Sequence, residues 1–484
     1  MKLWRLLENL EILKLNLIDV EWNIPGLAIN SNEVKRGDIF FAIKGIEHDG
    51  NQYISDAIQN GAVCVISENM YCDLPSIQVL DVRIAMAIIA ANMYGNVANL
   101  CKIIVVTGTN GKTTTTHMLQ DIMSTAGYKT TLIGTRGAYI NGECVYKGLT
   151  TPDPIVLHKI IKESYDLGIR IIIMELSAHA IYYNKLYGIT PEIGVFTNLS
   201  QDHLDFFNTL DEYASVKISV FLNSNIRYAV VNIDDEVGIN IYNARVNRGL
   251  LTTTYGIKNP ADLFAMDVNT NQGIKCILNA YDEILEVNTD YHGLFNVYNI
   301  LAATASARAL SVSIDNIVNA YNKMTPVVGR FNIIPAQNRL VIIDYAHTPD
   351  GLKNLLITAK SMTKSSLILV FGCGGNRDKS KRGVMGAIAC EYADHTIITE
   401  DNSRYEDINE ITQDISSGFS SESNNFEIII DRKEAIKRAC LLSKEFDTIL
   451  IAGKGDEDYL DTNGIKKAFS DKNTVEEMIR SYSL

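Results

Sequence analysis

The sequence of 484 residues lacks the features of membrane and secreted proteins. No apolar run approaches the roughly 18 residues that a membrane-spanning helix needs. The N-terminal segment carries Lys2, Arg5, Glu8, Glu11 and Lys14 among its leucines, whereas a secretory signal has an uncharged apolar core. We therefore expect a cytoplasmic protein that does not associate with membranes.

Basic charge and paired cysteines are also missing. The formal net charge is −13, so the chain lacks the basic surplus of a general nucleic-acid-binding surface. The eight cysteines include no Cys-x-x-Cys pair, and a chain of this length does not depend on disulfide bonds, which fits a reducing compartment. We predict small-molecule partners, no nucleic-acid partner, and a monomer.

No internal repeat, low-complexity segment or long Pro/Gly/Ser linker divides the chain, so domain boundaries must come from changes of pattern. At roughly 100 to 200 residues per domain, the length predicts about three domains. We place them at residues 1–98, 99–328 and 329–484. In the first, Ile39–Ile43 and Ala62–Ile66 are strand-like, and a helix is predicted between them.

The second and third domains alternate strand-like and helix-like segments, which predicts an α/β fold. Ile103–Val106 is a continuous apolar run, typical of a strand buried on both faces of a parallel sheet. Ile169–Met174 and Tyr228–Asn232 follow the same pattern. The third domain reads as an open Rossmann-like sheet, with strands predicted at Leu340–Ile343, Leu367–Phe371, Thr396–Thr399, Glu427–Ile430 and Thr448–Ile451. In such sheets ligands bind beyond the carboxyl ends of the strands.

A glycine-containing loop between a buried strand and a helix predicts an ATP site. Glycines let backbone N–H groups turn toward phosphate, and the helix N-terminus adds partial positive charge. Lys112 supplies a full charge for the β- and γ-phosphates, and Thr113 offers a hydroxyl to Mg²⁺. The general P-loop spacing would require glycine at Val106, so this is a shorter variant. The predicted ATP-binding residues here are Gly108, Thr109, Asn110, Gly111, Lys112, Thr113 and Thr114.

This loop resembles that of the Mur ligases and their folate-ligase relatives. Further segments narrow the resemblance to the tripeptide-forming branch: residues 150–153 (TTPD), 174–180 (MELSAHA), 196–205 (FTNLSQDHLD), 329–330 (GR), 344–350 (DYAHTPD), 371–375 (FGCGG) and 453–455 (GKG). The resemblance covers nearly the whole chain, in order. It implies an N-terminal UDP-binding α/β domain, a central P-loop domain with a mostly parallel sheet, and a C-terminal Rossmann-like domain for the incoming amino acid.

The resemblance also implies a two-step reaction. The D-Glu carboxylate of UDP-N-acetylmuramoyl-L-alanyl-D-glutamate takes the γ-phosphoryl group of ATP, and the amine of an amino acid then displaces phosphate. Such phosphoryl transfer depends on positioning and charge neutralisation. The expected groups are two Mg²⁺ ions with ligands among Thr113, Glu175, His203 and Lys217. Lys217 matches a lysine that the family carries as a carbamate (N6-carboxylysine), which needs a lowered pKa.

The remaining roles also follow from the resemblance. Asn299, Arg330, Asp344 and His347 match positions that contact ATP, the last three from the third domain. If they do so here, closure of the domains would assemble the site. The positions expected to bind the muramoyl dipeptide precursor are Ser31, Thr150, Thr151, Ser177 and Lys185. Here the usual Asp-Ser-Arg is Asn30-Ser31-Asn32, and Lys185 replaces an arginine.

The predicted amino acid is meso-diaminopimelate. Asp401-Asn402-Ser403-Arg404 resembles the Asp-Asn-Pro-Arg motif of diaminopimelate-adding enzymes, and an arginine can bind the second carboxylate of that substrate bidentately. The predicted contacts are Arg377, Asp401, Asn402, Ser403, Arg404, Gly453 and Glu457. Three residues depart from the family pattern: Ser403 replaces proline, Asp456 replaces histidine, and Asn376 replaces aspartate.

Two kinds of alternative remain open at this stage. The first is a sister ligase: either the same chemistry with L-lysine, L-ornithine or another acceptor, or a folate polyglutamate ligase, against which the motifs of the tripeptide-forming branch argue. The second is a nucleotide-binding paralogue with weak or no ligase activity, suggested by the departures at Asn30, Asn32, Lys185 and Asp456. Retention of Lys112, Glu175, His203, Lys217, Arg330, Asp344 and His347 argues against it.

Overall fold

A computed structural model describes residues 1–45, 48–223, 226–270, 272–281, 283–420 and 424–482. The chain forms three main sheets, one in each of the three parts that the sequence analysis separates. Among the described residues, no helix is both long and apolar enough to cross a membrane.

The N-terminal part holds a five-stranded sheet with helices beside it. The sheet order is β1-β5-β4-β3-β2, and only the β1–β5 pair is antiparallel. Asp81 caps the longest helix by accepting hydrogen bonds from the backbone N–H groups of Arg83 and Ile84. The elements are α1 (Leu3–Leu6), β1 (Lys14–Asn16), β2 (Leu27–Ala28), β3 (Ile39–Phe41), α2 (Ile54–Gln59), β4 (Cys64–Ser67), β5 (Ser76–Gln78) and α3 (Val82–Met93), with short 3-10 turns at Ser31–Glu33, Gly50–Tyr53 and Val97–Leu100.

The central part is built on an eleven-stranded sheet in the order β16-β15-β14-β13-β12-β11-β6-β10-β7-β8-β9. Its middle strands are parallel and apolar on both faces, and antiparallel hairpins extend both ends. Its elements are β6 (Lys102–Thr107), α4 (Lys112–Thr125), β7 (Thr130–Gly134), β8 (Gly137–Ile140), β9 (Glu143–Tyr146), α5 (Pro154–Asp166), β10 (Ile171–Glu175), α6 (Ala178–Tyr182), β11 (Ile193–Phe196), α7 (Leu210–Asn223), β12 (Tyr228–Asn232), α8 (Glu236–Val246), β13 (Thr252–Gly256), β14 (Leu263–Asn269), β15 (Ile274–Ala280), β16 (Glu283–Thr289), α9 (Leu294–Ala309) and α10 (Ile314–Tyr321).

The C-terminal part holds a six-stranded sheet in the order β17-β18-β22-β19-β20-β21, parallel except for the β17–β18 pair, and a separate β23–β24 hairpin. Helices cover both faces, and the two cores on either side of the sheet are apolar. The elements are β17 (Asn332–Ala336), β18 (Arg339–Asp344), α11 (Pro349–Met362), β19 (Leu367–Phe371), α12 (Ser380–Tyr392), β20 (His395–Ile398), α13 (Ile408–Ser416), β21 (Phe426–Ile428), α14 (Arg432–Leu442), β22 (Thr448–Ala452), β23 (Tyr459–Thr462), β24 (Ile465–Ala468) and α15 (Asp471–Tyr482).

The predicted fold class is confirmed, and each strand predicted from the sequence is present with its ends shifted by at most two residues. The first two strands are shorter than predicted or shifted, at Ile39–Phe41 and Cys64–Ser67, because the chain turns where backbone pairing with the next strand ends. The domain boundaries at residues 98 and 328 stay predictions. The parallel strands β6, β10, β18, β19, β20 and β22 direct their carboxyl ends toward one region, where the candidate site lies.

Candidate active site

A cavity of about 870 Å³ lies between the central and C-terminal parts. It brings together 23 of the predicted site residues, which are Thr109, Asn110, Gly111, Lys112, Thr113, Thr114, Thr150, Thr151, Glu175, Ser177, Lys185, His203, Lys217, Asn299, Arg330, Asp344, His347, Arg377, Asp401, Asn402, Arg404, Gly453 and Glu457. Gly108, Ser31 and Ser403 are not among its lining residues. The cavity therefore joins the predicted ATP, precursor and amino-acid sites, apart from Ser31.

The phosphate loop has the geometry of an anion site. Helix α4 begins at Lys112 after Gly111, whose φ of +86° suits glycine and whose missing side chain leaves room for Asn299. A Cβ at Gly111 would lie 2.4 Å from Asn299 Oδ1. No side chain caps the first N–H groups of this helix, so they remain available to a phosphate.

Asn299 supports this loop from behind. Its Oδ1 accepts a hydrogen bond from Thr115 Oγ1 at 3.2 Å, and its Nδ2 donates to Asn296 Oδ1 at 2.9 Å. Both ends of the amide therefore have protein partners. Contact with adenine stays a prediction for this residue.

Two lysines meet at a single carbonyl of the phosphate loop. Lys112 Nζ donates to Gly108 O at 2.9 Å and to Thr109 O at 2.8 Å, and Lys217 Nζ donates to Gly108 O at 3.0 Å. Among the described residues, no carboxylate lies within 4.0 Å of either ammonium group. Burial lowers the pKa of Lys217 well below its ordinary value, and the charge of Lys112 lowers it further against the opposing effect of Asp202. The pKa of Lys112 is also lowered by burial.

Glu175 lies at the end of β10, beside the strand that leads into the phosphate loop. In the parallel register Glu175 pairs with Val106, and its two carboxylate oxygens accept hydrogen bonds from Thr135 N and Thr135 Oγ1, both at 3.0 Å. Arg330 Nη2 donates to Thr113 Oγ1 at 3.2 Å. Within the described ranges no three His, Cys, Asp or Glu side chains converge as a metal site. The donor set still fits Mg²⁺, because a carboxylate and a hydroxyl suffice when phosphate supplies the other oxygens.

Side chains from both sides of the cavity lie close to the carboxylate of Asp202. His203 Nε2 lies 3.4 Å from Asp202 Oδ2, while Lys381 Nζ lies 3.4 Å from Oδ1 and His347 Nε2 lies 3.8 Å from Oδ2. Lys381 and His347 belong to the C-terminal part, so this carboxylate links the two parts across the cavity. The burial of Asp202 opposes its ionisation, but His203, Lys381 and His347 hold the pKa of Asp202 well below the usual range.

Arg330 and Asp344 lie at the start of the C-terminal part, where the chain enters it from the central part. The Arg330 guanidinium lies over the Tyr345 ring, 4.3 Å from its centroid. The Asp344 carboxylate accepts hydrogen bonds from Phe331 N at 2.7 Å and Ala346 N at 2.6 Å, and burial raises its pKa despite the nearby Arg330. Asp344 thus fixes the backbone at Phe331 and Ala346. Direct contact of either residue with ATP stays a prediction.

The predicted amino-acid end holds charges of both signs. Arg404 adopts φ +50°, a strained region for a non-glycine residue, and its Nη1 donates to Gly375 O at 2.7 Å. The part of the chain that the structure covers places no carboxylate within 4.0 Å of this guanidinium. Nearby, Glu457 accepts from Asn402 Nδ2 and from the buried Lys454 Nζ, both at 2.9 Å.

The other residues predicted to contact the amino acid lie near Glu457 and Lys454. Asp401 lies 3.8 Å from Lys454 Nζ, and its pKa is low because Lys454 and Arg432 outweigh its burial. A Cβ at Gly453 would lie 2.7 Å from Asp401 Oδ2, so glycine permits the close approach. Arg377 Nη1 lies 3.8 Å from Asp205 Oδ2 of the central part.

Two of the predicted precursor residues, Thr150 and Thr151, lie in a loop that Lys185 holds. Its Nζ donates to Thr151 O at 3.0 Å and pairs with Asp153 Oδ1 at 2.9 Å. Thr151 Oγ1 donates to Glu175 O at 2.9 Å, and Thr150 Oγ1 lies 3.2 Å from Thr135 Oγ1. Ser177 caps helix α6 by accepting from Ala180 N.

Ser31 lies apart from these residues, in the N-terminal part. It starts a 3-10 turn, and Asn30 caps that turn by accepting from Asn32 N at 3.0 Å. Asparagine performs the capping that the usual aspartate would perform. The departure at residue 30 therefore leaves the turn intact.

Family models match three successive stretches of the chain. The Mur ligase family catalytic domain model matches residues 23–94, the Mur ligase middle domain model residues 106–307, and the Mur ligase glutamate ligase domain model residues 329–455. A curated relative from Clostridium tetani, named UDP-N-acetylmuramoyl-L-alanyl-D-glutamate--2,6-diaminopimelate ligase, is 39% identical and 99% of each chain is covered. The chain belongs to the Mur ligase family. A relative of the same name from Aquifex aeolicus is 39% identical, over 97% of this chain and 96% of its own.

Solved Mur ligase structures share the fold. A structure of a UDP-N-acetylmuramoyl-L-alanyl-D-glutamate--2,6-diaminopimelate ligase has a TM-score of 0.70 at 30% identity, covering 100% of this chain and 99% of the other. The MurF ligase from Thermotoga maritima, solved with ADP, has a TM-score of 0.65 at 20% identity over 94% and 97% of the chains, which speaks for the fold alone. This Mur ligase chain is an ATP-dependent enzyme that forms amide bonds.

Sequence reasoning missed several residues at this Mur ligase site. Asp202 and Lys381 form a contact across the cavity, Thr135 holds Glu175, and Lys454 neutralises Glu457. Asp202 and Lys454 lie inside the family motifs at residues 196–205 and 453–455, so these motifs could have indicated that both residues belong to the site. The pairing of Asp202 with Lys381, 179 positions away, had no local signal.

Proposed function

We propose that this Mur ligase adds meso-diaminopimelate to the D-Glu carboxylate of UDP-N-acetylmuramoyl-L-alanyl-D-glutamate, in the synthesis of a cell-wall precursor. A carboxylate oxygen of the precursor attacks the γ-phosphorus of ATP, and ADP leaves. The amine of the amino acid then attacks the acyl carbon, and phosphate leaves as the amine loses a proton. We expect the enzyme to act as a monomer in the cytoplasm, where ATP and nucleotide-linked precursors are available.

The charge arrangement at the amino-acid end carries this proposal. The far end of diaminopimelate is itself an amino acid, with one carboxylate and one ammonium group. Among the described residues the Arg404 guanidinium donates to carbonyl groups alone and can bind the carboxylate, while the carboxylates of Glu457 and Asp401 can accept the ammonium group. L-Lysine lacks that carboxylate and would leave Arg404 facing an ammonium group, so it fits this end less well.

The nucleotide end supports phosphoryl transfer. Lys112 and the uncapped N-terminus of α4 would hold the β- and γ-phosphates, and Arg330 would reach the transferring group through its position beside Thr113. Thr113 and Glu175 would hold Mg²⁺, and His203 would hold a second ion together with a modified Lys217. Mg²⁺ would supply neutralisation of phosphate charge at these residues.

Lys217 is a suitable amine for carbamate formation. It is 1% exposed, lacks a carboxylate partner among the described residues, and shares the Gly108 carbonyl with Lys112. Burial and the neighbouring cation favour the neutral amine, which can add to CO₂ with release of one proton. The product is an anion that would compensate Lys112. A ¹³C-carbonyl signal after exposure to ¹³C-bicarbonate, present in the wild type and missing in Lys217→Ala, is the expected result; equal spectra would contradict it.

The decisive experiment measures product formation with different acceptors. Purified enzyme is incubated with ATP, Mg²⁺ and UDP-N-acetylmuramoyl-L-alanyl-D-glutamate, and separate reactions receive meso-diaminopimelate, L-lysine, L-ornithine or no amino acid. Phosphate release and the mass of the product are followed. A tripeptide formed only with diaminopimelate is expected. Product formed with lysine or ornithine would identify that amino acid as the acceptor in place of diaminopimelate. The absence of product with any acceptor would contradict the proposed substrates.

A further inference from the structure

A salt bridge outside the predicted site residues joins the central and C-terminal parts. Arg136 Nε donates to Asp456 Oδ2 at 2.6 Å, across 320 positions of the chain. The side chains are 30% and 20% exposed, so solvent screens the pair only partly. Arg136 lies in the turn between β7 and β8, and Asp456 lies in the loop after β22.

Each partner directly neighbours a residue with a proposed role. Arg136 follows Thr135, whose backbone N and hydroxyl hold both oxygens of Glu175 at 3.0 Å. Asp456 precedes Glu457, whose carboxylate accepts two hydrogen bonds of 2.9 Å. The bridge therefore connects the turn that fixes the Glu175 carboxylate with the loop that forms the amino-acid end.

Backbone packing ties Asp456 to the ATP side as well. A Cβ at Gly329 would lie 2.3 Å from Asp456 N and 2.7 Å from the carbonyl carbon of Gly455, so the two backbones are in close contact. Gly329 leads into Arg330, which donates to Thr113 Oγ1 at 3.2 Å. This contact is made by backbone atoms and does not involve the Asp456 carboxylate, so it persists when the salt bridge is removed.

Asp456 departs from the family pattern, in which this position is a histidine. A neutral imidazole could not form a charge pair with Arg136, and a protonated one would be repelled by it. The Asp456 carboxylate gives Arg136 a partner of opposite charge at 2.6 Å. Asp456 thus differs from the residue usual in the family and also makes the contact with Arg136.

We propose that Arg136 and Asp456 are positioning residues that hold the loop 453–457 against the phosphate-loop side of the cavity during the ligase reaction. For its substrates this inference rests on the proposed function. The bridge acts on the amino-acid end, whereas the Lys112 ammonium group is held by the carbonyls of Gly108 and Thr109 in its own loop. Its loss therefore raises the KM for the amino acid more than the KM for ATP.

The test is a double-mutant cycle with Arg136→Ala, Asp456→Ala and the double variant. Each single change is expected to raise the KM for diaminopimelate by roughly threefold to tenfold, with the double variant no worse than either single one. The exchanged pair Arg136→Asp/Asp456→Arg is expected to recover part of the loss. The KM of the wild type should also rise with KCl concentration more steeply than that of Arg136→Ala.

Arg308→Ala is the matched control. Arg308 is 25% exposed and pairs with Glu283 at 2.5 Å, but both residues lie in the central part. This control should leave the KM for the amino acid unchanged. Additive effects of the two single variants, or an equal rise in the KM for ATP, would overturn the proposal.

Small-angle X-ray scattering with a non-hydrolysable ATP analogue separates this proposal from the proposed function, because it needs no acceptor. The expected result is a larger radius of gyration for Arg136→Ala and Asp456→Ala than for the wild type and Arg308→Ala. If the wild type is inactive with every acceptor but the two variants still have a larger radius of gyration, the proposed substrates are refuted and the proposed role of the salt bridge is supported. An active wild type whose variants change neither KM nor radius would refute the bridge.

Discussion

The two ends of the cavity balance their charges in different ways. At the nucleotide end, Lys112 and Lys217 donate to the carbonyl of Gly108, and no carboxylate of the described chain lies within 4.0 Å of them. At the amino-acid end, Lys454 is paired with Glu457 at 2.9 Å, and Arg404 lies nearby with carbonyl partners. One end therefore carries the charge of Lys112 without a carboxylate partner among the described residues, and the other carries both signs.

This difference matches the charges of the two ligands. A triphosphate is uniformly negative, so a loop that presents Lys112 without a carboxylate partner gains most of its electrostatic stabilisation only when phosphate is bound. The zwitterionic end of an amino acid needs a donor and an acceptor at fixed positions instead. Substitutions at the nucleotide end should therefore abolish turnover, whereas those at the amino-acid end should change selectivity.

The largest effect is expected at Lys112. We expect Lys112→Ala to lower kcat by about 10³-fold or more, because a charge aimed at the transferring phosphoryl group is lost from a water-poor site. The measurement is phosphate release at saturating substrates. Lys162→Ala is the control, since Lys162 pairs with Asp166 on the exposed face of α5. A kcat of Lys112→Ala within tenfold of the wild type would mean that the nucleotide end does not depend on this charge.

A smaller and more selective effect is expected at Arg404. We expect Arg404→Gln to raise the KM for diaminopimelate by roughly 10- to 100-fold, because charge-assisted hydrogen bonds to the distal carboxylate are lost. The KM for L-lysine should change little, and so should the KM for ATP. Arg438→Ala, which removes an exposed arginine paired with Glu427, is the control. An equal rise in the KM for both amino acids would show that Arg404 does not bind the second carboxylate of diaminopimelate.

The residues that the sequence assigns to the nucleotide end lie together in the fold because this end is built from neighbouring strands. The phosphate loop follows β6, and the parallel register of β6 with β10 places Glu175 opposite Val106. A buried strand, a glycine loop and a helix N-terminus are local features, so their geometry follows from a short segment. Lys217 could be placed only through the family motif, since its approach to Gly108 depends on how α7 packs.

The remainder of the site depends on how separate parts of the chain meet. The Arg136–Asp456 bridge and the contact of Asp202 with Lys381 join residues 320 and 179 positions apart, and no local pattern encodes them. Ser31 illustrates the opposite case, because its motif was recognised but the residue lies outside the cavity. Motifs identify residue types at a site, whereas distances between domains follow from packing.

The smallest effect is expected at Lys185, where the family usually has arginine. Lys185 is 8% exposed and already binds Thr151 O at 3.0 Å and Asp153 Oδ1 at 2.9 Å. An arginine fork can make both contacts, so Lys185→Arg should change the KM for the muramoyl dipeptide by less than about threefold. Lys185→Met removes the charge at similar length and should raise that KM by about tenfold, because the loop with Thr150 and Thr151 loses its anchor. If Lys185→Arg instead lowered the KM tenfold, the bidentate fork would be contacting the precursor directly, and lysine at this position would be a functional compromise rather than an equivalent anchor.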